Sequence, residues 1–244
     1  MRYEARTSKG AFGDRAHTSK RSDLKPLAPR SYPLNPMKHL FVIATGSAGK
    51  IRDFAHILGT DHYEFQTLKD IGFDGDIVED GKTFAENAII KSSTTARWLM
   101  ERGIEATVLA DDSGLEVFAL NGEPGIYSAR YSGGHGNDNS NNELLLKKLE
   151  NIEDRRARYF CALSYQIVSQ VNGKFSISEP RIFEGECRGT INHAPVGDMG
   201  FGYDPLFVPD GETRTFAQME LEEKKAISHR GNAIRALKAA LQRK

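Results

Sequence analysis

In the first two thirds of the chain, apolar residues recur with the spacing of strands and helices in turn. In the last third, they recur mostly with the spacing of strands. A continuous apolar run at residues 39–45 is followed by a glycine loop at residues 46–50. Apolar residues then recur at helical spacing, at Ile51, Phe54, Ala55 and Leu58. A strand, a glycine loop and a helix in this order are typical of the first unit of an α/β sheet.

The middle of the chain predicts a second helix and a short buried strand. Thr83 and Glu86 have the spacing of a capping box, and the helix that they begin is expected to run to about Arg102 and end at Gly103. Residues 107–111 predict an apolar strand that ends directly in Asp112-Ser113-Gly114. The Gly-, Asn-, Asp- and Ser-rich residues 133–142 predict a flexible loop without an assigned role, before a short helix that ends near Glu150.

The last third of the chain predicts long strands and one final helix. Residues 158–168 and 181–191 have strand patterns, and residues 171–174 predict the turn between them. The final helix is expected to begin near Ser228. Together the elements predict an α/β fold with a mixed β-sheet flanked by helices, in two lobes with a cleft between them, and ligands in such folds bind at the carboxyl ends of strands.

Composition limits the class of protein without defining its function. The 244 residues are 39% hydrophobic and 27% charged, with a mean hydropathy of -0.49, which is typical of a soluble globular enzyme. No apolar run in the sequence is long enough for a transmembrane helix. Cys161 and Cys187 are widely spaced and are expected to be buried thiols in a reducing compartment, so we expect a cytoplasmic protein.

The net charge of zero conceals two regions of opposite charge. Residues 1–38 carry nine of the 33 Lys and Arg residues and three of the 33 Asp and Glu residues, so this extension is +6 and residues 39–244 are -6. The extension contains four prolines and no apolar period, which predicts a disordered, solvated tail ahead of a single catalytic domain at 39–244. A nucleic-acid-binding arm is the alternative, and Met37 is a candidate start of translation.

Two adjacent carboxylates are the sharpest chemical signal in the sequence. Asp111 and Asp112 follow an apolar strand, where partly buried like charges repel each other. A divalent cation would relieve that repulsion, and Mg²⁺ is typically held by one or two carboxylates together with phosphate oxygens. Glu79 and Asp80 could complete the metal shell from across the cleft. The alternatives are a polar turn at 111–114 and a solvated turn at 79–81.

Three further segments could bind a nucleotide. Backbone N–H groups of residues 45–50 and the side chain of Lys50 would favour a phosphate, although the spacing is not that of a Walker A loop and a plain tight turn is the alternative. An aromatic side chain of residues 200–204 could stack on a base or instead fill the core. His229 and Arg230 lie at a predicted helix start, where their charge opposes the helix dipole, so they either meet a ligand acceptor or lie on the surface.

Six segments together closely resemble the inosine triphosphate pyrophosphatase family, also called XTP/dITP diphosphatases. They occur in the family's order and spacing over about residues 39–243: TGSAGK (45–50), TFAENA (83–88), LADDSGLEV (109–117), PGIYSARYSG (124–133), GFGYDPLF (200–207) and EEKKAISHRG (222–231). The resemblance implies an elongated α/β fold with the active site between two lobes. It also implies a Mg²⁺-dependent homodimer that hydrolyses ITP, dITP and XTP to the monophosphate and pyrophosphate. We expect no membrane and no nucleic-acid partner.

The resemblance also assigns roles to residues by motif. Asp112 would be the catalytic carboxylate and a metal ligand, with Glu79 in the metal shell and Asp111 beside it. Ser113 would touch the substrate. The triphosphate would be held by Thr45, Gly46, Ser47, Ala48, Gly49, Lys50 and Lys91. The base and sugar would be held by Phe201, Gly202, Tyr203, Asp204, Lys224, His229 and Arg230.

One position departs from the family, and two other functions remain open. Ser47 stands where the family usually has Asn, which predicts a changed phosphate contact. Donors from His229 and Arg230 would pair with the C6 oxygen of hypoxanthine or xanthine and not with the amino group of adenine, but the exclusion of GTP does not follow from the sequence. The alternatives are a pyrophosphatase for another modified nucleotide and a non-catalytic nucleotide- or RNA-binding protein that uses the basic tail.

Overall fold

The computed structural model describes residues 38–45, 48–134 and 137–242, without the side chains of residues 48 and 49. The predictions for residues 1–37 and for Gly46 and Ser47 therefore lie outside the described residues. The described residues belong to one compact unit. None of the helices in the described part of the chain is long and apolar enough to cross a membrane.

The described residues form a mixed sheet flanked by helices, which confirms the predicted α/β class. The strands are β1 His39–Ile43, β2 Tyr63–Thr67, β3 Ala106–Val117, β4 Arg156–Val171, β5 Lys174–Ile177, β6 Arg181–Ile191 and β7 Phe207–Pro209. The α-helices are α1 Ala48–Leu58, α2 Phe84–Glu101, α3 Asp138–Lys148, α4 Leu221–Ile227 and α5 His229–Leu241. The strand order is β2-β1-β3-β4-β6-β7, and β5 pairs with β4. Among the strands of the described residues, β1 pairs in parallel with β2 and β3, and the other strand pairs are antiparallel.

Helices cover both faces of the sheet, and side chains of β3 alternate between them. Leu109 packs with Phe54 of α1 and Ile234 of α5 on one face. Val108 packs with Leu99 of α2 on the other face. Further along β3, Leu115 and Val117 belong to a separate apolar cluster. The residues between these clusters, 111–113, are the polar part of β3, so the core is divided around them.

The prediction that the strand ends at Asp111 is wrong. β3 continues to Val117 and pairs with β4 throughout, with Asp111 opposite Leu163 and Asp112 opposite Ala162. The period of a strand therefore places the two aspartates on opposite faces of the sheet. A local pattern cannot reveal this continuation, because basic side chains from the helices neutralise the polar positions in the middle of the strand.

Two other predicted connections are also wrong, whereas two helix starts are confirmed. The turn at Asn172 and Gly173 joins β4 to β5 and not to β6, and both residues have the positive φ of a tight hairpin. Residues 138–142 belong to α3 and not to a loop. Thr83 and Ser228 cap α2 and α5 as predicted, through bonds to Glu86 N and Gly231 N. The Glu86 carboxylate accepts from Lys82 N, one residue before the position that a capping box requires.

Candidate active site

Asp112 faces α2, where one lysine joins it to a second carboxylate. Lys91 Nζ lies 3.2 Å from Asp112 Oδ1 and 2.5 Å from Glu79 Oε2. Asn87 Nδ2 donates to Asp112 Oδ2 over 3.1 Å, and Asn87 Oδ1 accepts from Gly81 N over 2.9 Å. Asn87 and Lys91 are four residues apart, so they share the helix face that meets β3. This arrangement brings the 79–81 segment to the side chain of Asp112.

The protonation of this cluster is set by burial and by its own charges. Burial raises the pKa of Asp112 above its usual value, and the Lys91 ammonium and the Asn87 amide only partly offset that effect. Burial disfavours the charged form of Lys91 and would lower its pKa. The negative charges of Asp112 and Glu79 have the larger effect and raise the pKa of Lys91. Asp112 is therefore more basic than an ordinary aspartate, which suits a proton acceptor.

Asp111 faces α1 and α5 and is neutralised by cations from both helices. Lys50 Nζ lies 2.9 Å from its Oδ1, and Arg230 Nε donates to its Oδ2 over 3.1 Å. Ser113 Oγ also donates to Asp111 Oδ2, over 3.2 Å. Burial alone would raise the pKa of Asp111, but Lys50 and Arg230 hold that pKa well below its usual range. The repulsion expected between Asp111 and Asp112 is thus resolved without a shared metal ion.

A glycine allows α5 to bring His229 and Arg230 to the sheet. A Cβ at Gly185 of β6 would lie 2.2 Å from His229 O and 2.3 Å from Ala233 N. Only a glycine permits this close approach. Arg230 is then fixed by Asp111 and by Asp53 of α1, whose Oδ2 lies 3.3 Å from Arg230 Nη1.

His229 is buried as a neutral imidazole. Burial, with the positive charges of Arg230 and Lys224, lowers the pKa of His229 well below its usual value. Its ring stacks on Tyr159, with centroids 4.8 Å apart and planes at 11°. His229 Nδ1 is buried without a hydrogen-bond partner among the described residues. Because buried polar atoms are rarely left unpaired, this nitrogen is a candidate contact for a ligand.

The structure separates the two aromatic residues of the 200–204 loop. Phe201 is 65% exposed, as a stacking residue requires, whereas Tyr203 is buried and donates its hydroxyl to Ser128 O. Asp204 is buried, ion-paired with Lys224, and accepts from Phe201 N over 2.9 Å. The Lys224 ammonium lies 4.9 Å from the centroid of the Phe201 ring. Tyr159 donates to Asp204 Oδ1 over 3.4 Å and so joins this group to His229.

Most of the predicted site residues therefore fall into three connected groups. Lys91, Asp112 and Glu79 form the first, and Asp111, Ser113, Lys50 and Arg230 form the second. Phe201, Gly202, Tyr203, Asp204, Lys224 and His229 belong to the third. Thr45 lies two residues after the end of β1, and Ala48 and Gly49 begin α1, so the predicted phosphate loop follows a strand and precedes a helix in the chain. The side chains at 48 and 49 are not described.

Three residues of this neighbourhood were not identified from the sequence. Asn87 lies inside the TFAENA segment, four residues before Lys91, and that helical spacing could have indicated it. Asp53 and Tyr159 carry no comparable signal, because their contacts with Arg230 and His229 join residues that are far apart in the chain.

The chemistry of the donors fits one hydrated divalent cation. No group of three or more His, Cys, Asp or Glu side chains in the described ranges is arranged to hold a metal ion. Mg²⁺ does not require such a group, because it binds through one or two carboxylates with water and substrate phosphates completing its shell. The carboxylates of Glu79 and Asp112 both lie against the ammonium group of Lys91, so they are close enough to each other to bind one Mg²⁺ ion. The oxygens of Asp111, the other candidate metal ligand, instead lie against Lys50 and Arg230.

Comparisons with known proteins all point to one protein family. The Ham1 family model matches residues 41–240. The dITP/XTP pyrophosphatase of Clostridium perfringens is 44% identical over 205 residues, which cover 83% of this chain and 97% of that protein. The dITP/XTP pyrophosphatase of Syntrophobacter fumaroxidans is 48% identical over 199 residues, which cover 81% of this chain and 80% of that protein.

Solved structures agree with the sequence comparisons. The Staphylococcus aureus Ham1 protein has a TM-score of 0.72 and 45% identity, covering 83% of this chain and 98% of its own. A HAM1 protein from Coxiella burnetii also has a TM-score of 0.72, at 34% identity, covering 84% of this chain and 100% of its own. With the mixed sheet and the motifs carried on its strands and helices, these matches show that the chain belongs to the Ham1 family.

Proposed function

We propose that this protein hydrolyses deaminated purine nucleoside triphosphates, namely dITP, XTP and ITP, to the monophosphate and pyrophosphate. The observation that carries the proposal is the cluster of Asp112, Lys91 and Glu79, in which two carboxylates converge on one ammonium group. The activity in the names of the relatives, dITP/XTP pyrophosphatase, supports the same reaction. Its biological effect would be to remove damaged purines from the nucleotide pool.

We propose that Glu79 and Asp112 hold Mg²⁺. When bound, the ion would neutralise phosphate charge and acidify a water molecule. Asp112 would be the proton acceptor for the attacking water, and its raised pKa favours that role. Water would add to the α-phosphorus while the bond from that phosphorus to the oxygen bridging to the β-phosphate breaks, and pyrophosphate would leave with the bonding electrons.

The cations around the two aspartates would bind the triphosphate. Lys50 and Lys91 project from different helices, on either side of β3, and the N-terminus of α1 lies next to Lys50. Phosphoryl transfer depends mainly on positioning and on neutralisation of charge, which these groups supply. Ser113 would contact the substrate through the hydroxyl that now donates to Asp111.

The third group of residues would select the base. Phe201 would stack on the purine ring, a contact worth about 1–3 kcal/mol. Neutral His229 carries one N–H donor, and Arg230, held through Nε and Nη1, keeps other N–H groups for the substrate. A pocket of donors that pairs with a C6 oxygen leaves those donors unpaired against adenine, which supports rejection of ATP.

The proposal is tested with the purified full-length chain, Mg²⁺ and a panel of nucleotides. We expect rapid turnover of ITP, dITP and XTP, slow turnover of ATP, and pyrophosphate as the released product. An Asp112→Asn preparation is the blank for contaminating phosphatases. Equal turnover of ATP, or release of orthophosphate in place of pyrophosphate, would contradict the proposal. Omission of Mg²⁺ in the presence of a chelator tests the metal requirement.

We propose in addition that the enzyme is a cytoplasmic homodimer without a membrane or nucleic-acid partner, and that its catalytic domain is residues 39–244, which follow the basic residues 1–38. The homodimer is tested by light scattering of the purified protein over a range of concentrations. A molar mass near that of one 27.1 kDa chain at every concentration would exclude it.

A further inference from the structure

The N-terminal part of α3 holds the 200–204 loop through the backbone N–H and the backbone carbonyl of one residue, Gly202. Asp138 Oδ2 accepts from Gly202 N over 2.6 Å. Asn142 Nδ2 donates to Gly202 O over 3.0 Å. Asp138 and Asn142 are four residues apart and therefore lie on one face of the helix. We call this pair of side chains the Gly202 clamp.

The other anchors of the loop lie on its C-terminal side, where Tyr203 donates its hydroxyl to Ser128 O and the buried Asp204 pairs with Lys224, whereas the peptide groups of Gly202 are bonded to the clamp. Gly200 and Gly202 both have positive φ, at 84° and 63°, so the segment cannot join a regular strand ladder. Its own bond, from Phe201 N to Asp204 Oδ2, shapes the turn but does not tie it to α3. Phe201 is 65% exposed and adjacent to Gly202 in the chain, so the clamp fixes the backbone that carries this ring.

We propose that Asp138 and Asn142 are positioning residues that set the place of Phe201 against the base of the substrate. The inference rests on the proposed function, in which Phe201 stacks on the purine. It gives a role to the Asn- and Asp-rich segment 133–142, which carries none of the chemistry described above. Displacement of a binding group by about 1 Å is sufficient to reduce productive binding strongly.

Other residues of α3 provide its structural contacts. Asn137 caps the helix through a bond from Ser140 N, and Leu145 lies in the core. Asn141 holds the preceding turn, with Oδ1 accepting from Ser132 N and Nδ2 donating to Ser128 O. The clamp residues are therefore not the cap of the helix, its apolar anchor or its link to the 125–132 turn.

Steady-state kinetics with ITP separate positioning from folding. We expect Asp138→Ala and Asn142→Ala to raise KM about tenfold or more with little change in kcat, because they remove binding made equally in the ground and transition states. Asp138→Asn keeps an oxygen acceptor for Gly202 N and should restore most of the affinity. Glu143→Gln and Asn139→Ala change exposed residues of the same helix and should leave KM unchanged.

A double-mutant cycle with Phe201→Ala is the decisive test. If the clamp acts through Phe201, Asp138→Ala should have little further effect on KM once the ring is absent. An undiminished effect of Asp138→Ala in the Phe201→Ala background would overturn the proposal. So would a loss of kcat at unchanged KM in the single variant.

Hydrogen exchange gives a readout that does not depend on the substrate. Asp138→Ala should accelerate exchange in peptides that contain residues 200–204, whereas Glu143→Gln should not. Unchanged exchange in Asp138→Ala would contradict the claim that Asp138 and Asn142 hold the loop in place. If the wild-type enzyme instead turns over all nucleotides alike, the proposed function fails, and that result is visible without any clamp variant.

Discussion

At the residue scale, two neighbouring aspartates acquire opposite properties from the same strand. Asp111 is held among Lys50 and Arg230, which keep its pKa low, whereas burial raises the pKa of Asp112. The alternation of side chains along β3 is the cause, because it directs one carboxylate toward α1 and α5 and the other toward α2. Asp111 is thus a fixed anion that orients basic side chains, and Asp112 is the carboxylate suited to exchange a proton.

Replacement of Asp112 by Asn should remove most activity and keep the fold. The change preserves the shape of the side chain but removes both the proton acceptor and the negative charge, so we expect kcat to fall about 10²–10⁴-fold. Pyrophosphate release with ITP measures this loss, and circular dichroism checks the fold. Asp61→Asn, at an exposed site, is the control. Turnover near that of wild type would remove Asp112 from the mechanism.

Replacement of Asn87 by Ala should move the acidic limb of the pH profile. The Asn87 amide stabilises the charged form of Asp112 and lowers its pKa, so loss of the amide should raise that pKa further. If activity requires ionised Asp112, the acidic limb of kcat/KM shifts to higher pH.

The measurement is kcat/KM for ITP between about pH 4.5 and 9. Asn139→Ala, which changes an exposed amide on α3, should leave the profile in place. An acidic limb that stays at the same pH in Asn87→Ala would show that Asp112 is not the group that titrates there.

At the element scale, three helices deliver cations to one stretch of β3. Lys50 comes from the first turn of α1, Lys91 from the middle of α2 and Arg230 from the start of α5. The position of each helix against the sheet therefore determines the position of a charge. For α5, that position depends on the absence of a side chain at Gly185.

Replacement of Gly185 by Ala should both destabilise the protein and reduce its activity. The new methyl group would lie 2.2 Å from His229 O and 2.3 Å from Ala233 N, so α5 must move away from β6. We expect a loss of about 1–3 kcal/mol in the free energy of unfolding. Urea denaturation measures that loss, and the nucleotide assay should show weaker binding of ITP.

Gly134→Ala is the matched control for this change. A Cβ at Gly134 would have no neighbour within 4 Å, and the residue has no positive φ. Its stability and kinetics should stay those of wild type. Equal behaviour of the two alanine variants would contradict the role given to the contact between β6 and α5.

The elements that were predicted correctly are those whose signal is local. The starts of α2 and α5 are confirmed because Thr83 and Ser228 cap the helices through bonds to residues three positions further on. The errors concern residues whose partners are distant. Residues 138–142 looked like a loop because Asn and Asp favour turns, yet the buried Asn141 and Asn142 find partners at Ser132, Ser128 and Gly202.

At the scale of the whole molecule, the charge is divided between two regions of the chain. Residues 1–38 are strongly basic, and residues 39–244 carry the compensating negative charge. The family match covers residues 41–240 and does not include the basic region. The assigned catalytic and binding residues all lie within the matched range.

Removal of residues 1–38 should therefore leave kcat and KM for ITP unchanged. The truncated and full-length proteins are compared in the nucleotide assay, and RNA binding by each is measured at about 50 and 200 mM salt. We expect no salt-sensitive RNA binding by the full-length chain. Binding that weakens steeply with salt and disappears on truncation would instead assign a nucleic-acid role to the extension.

The sequence by itself determined the α/β class, the main helices and most residues of the candidate site. Apolar periods and caps report local backbone preference, and the spacing of the motifs indicated the family. Only the tertiary structure decided how those residues divide among faces and partners. It continued β3 through Asp111 and Asp112, paired Asp111 with Lys50 and Arg230, and joined Asp112 to Lys91 and Glu79. The physical reason is that ion pairs, burial and the resulting pKa shifts arise between residues tens to more than a hundred positions apart, which no local pattern records.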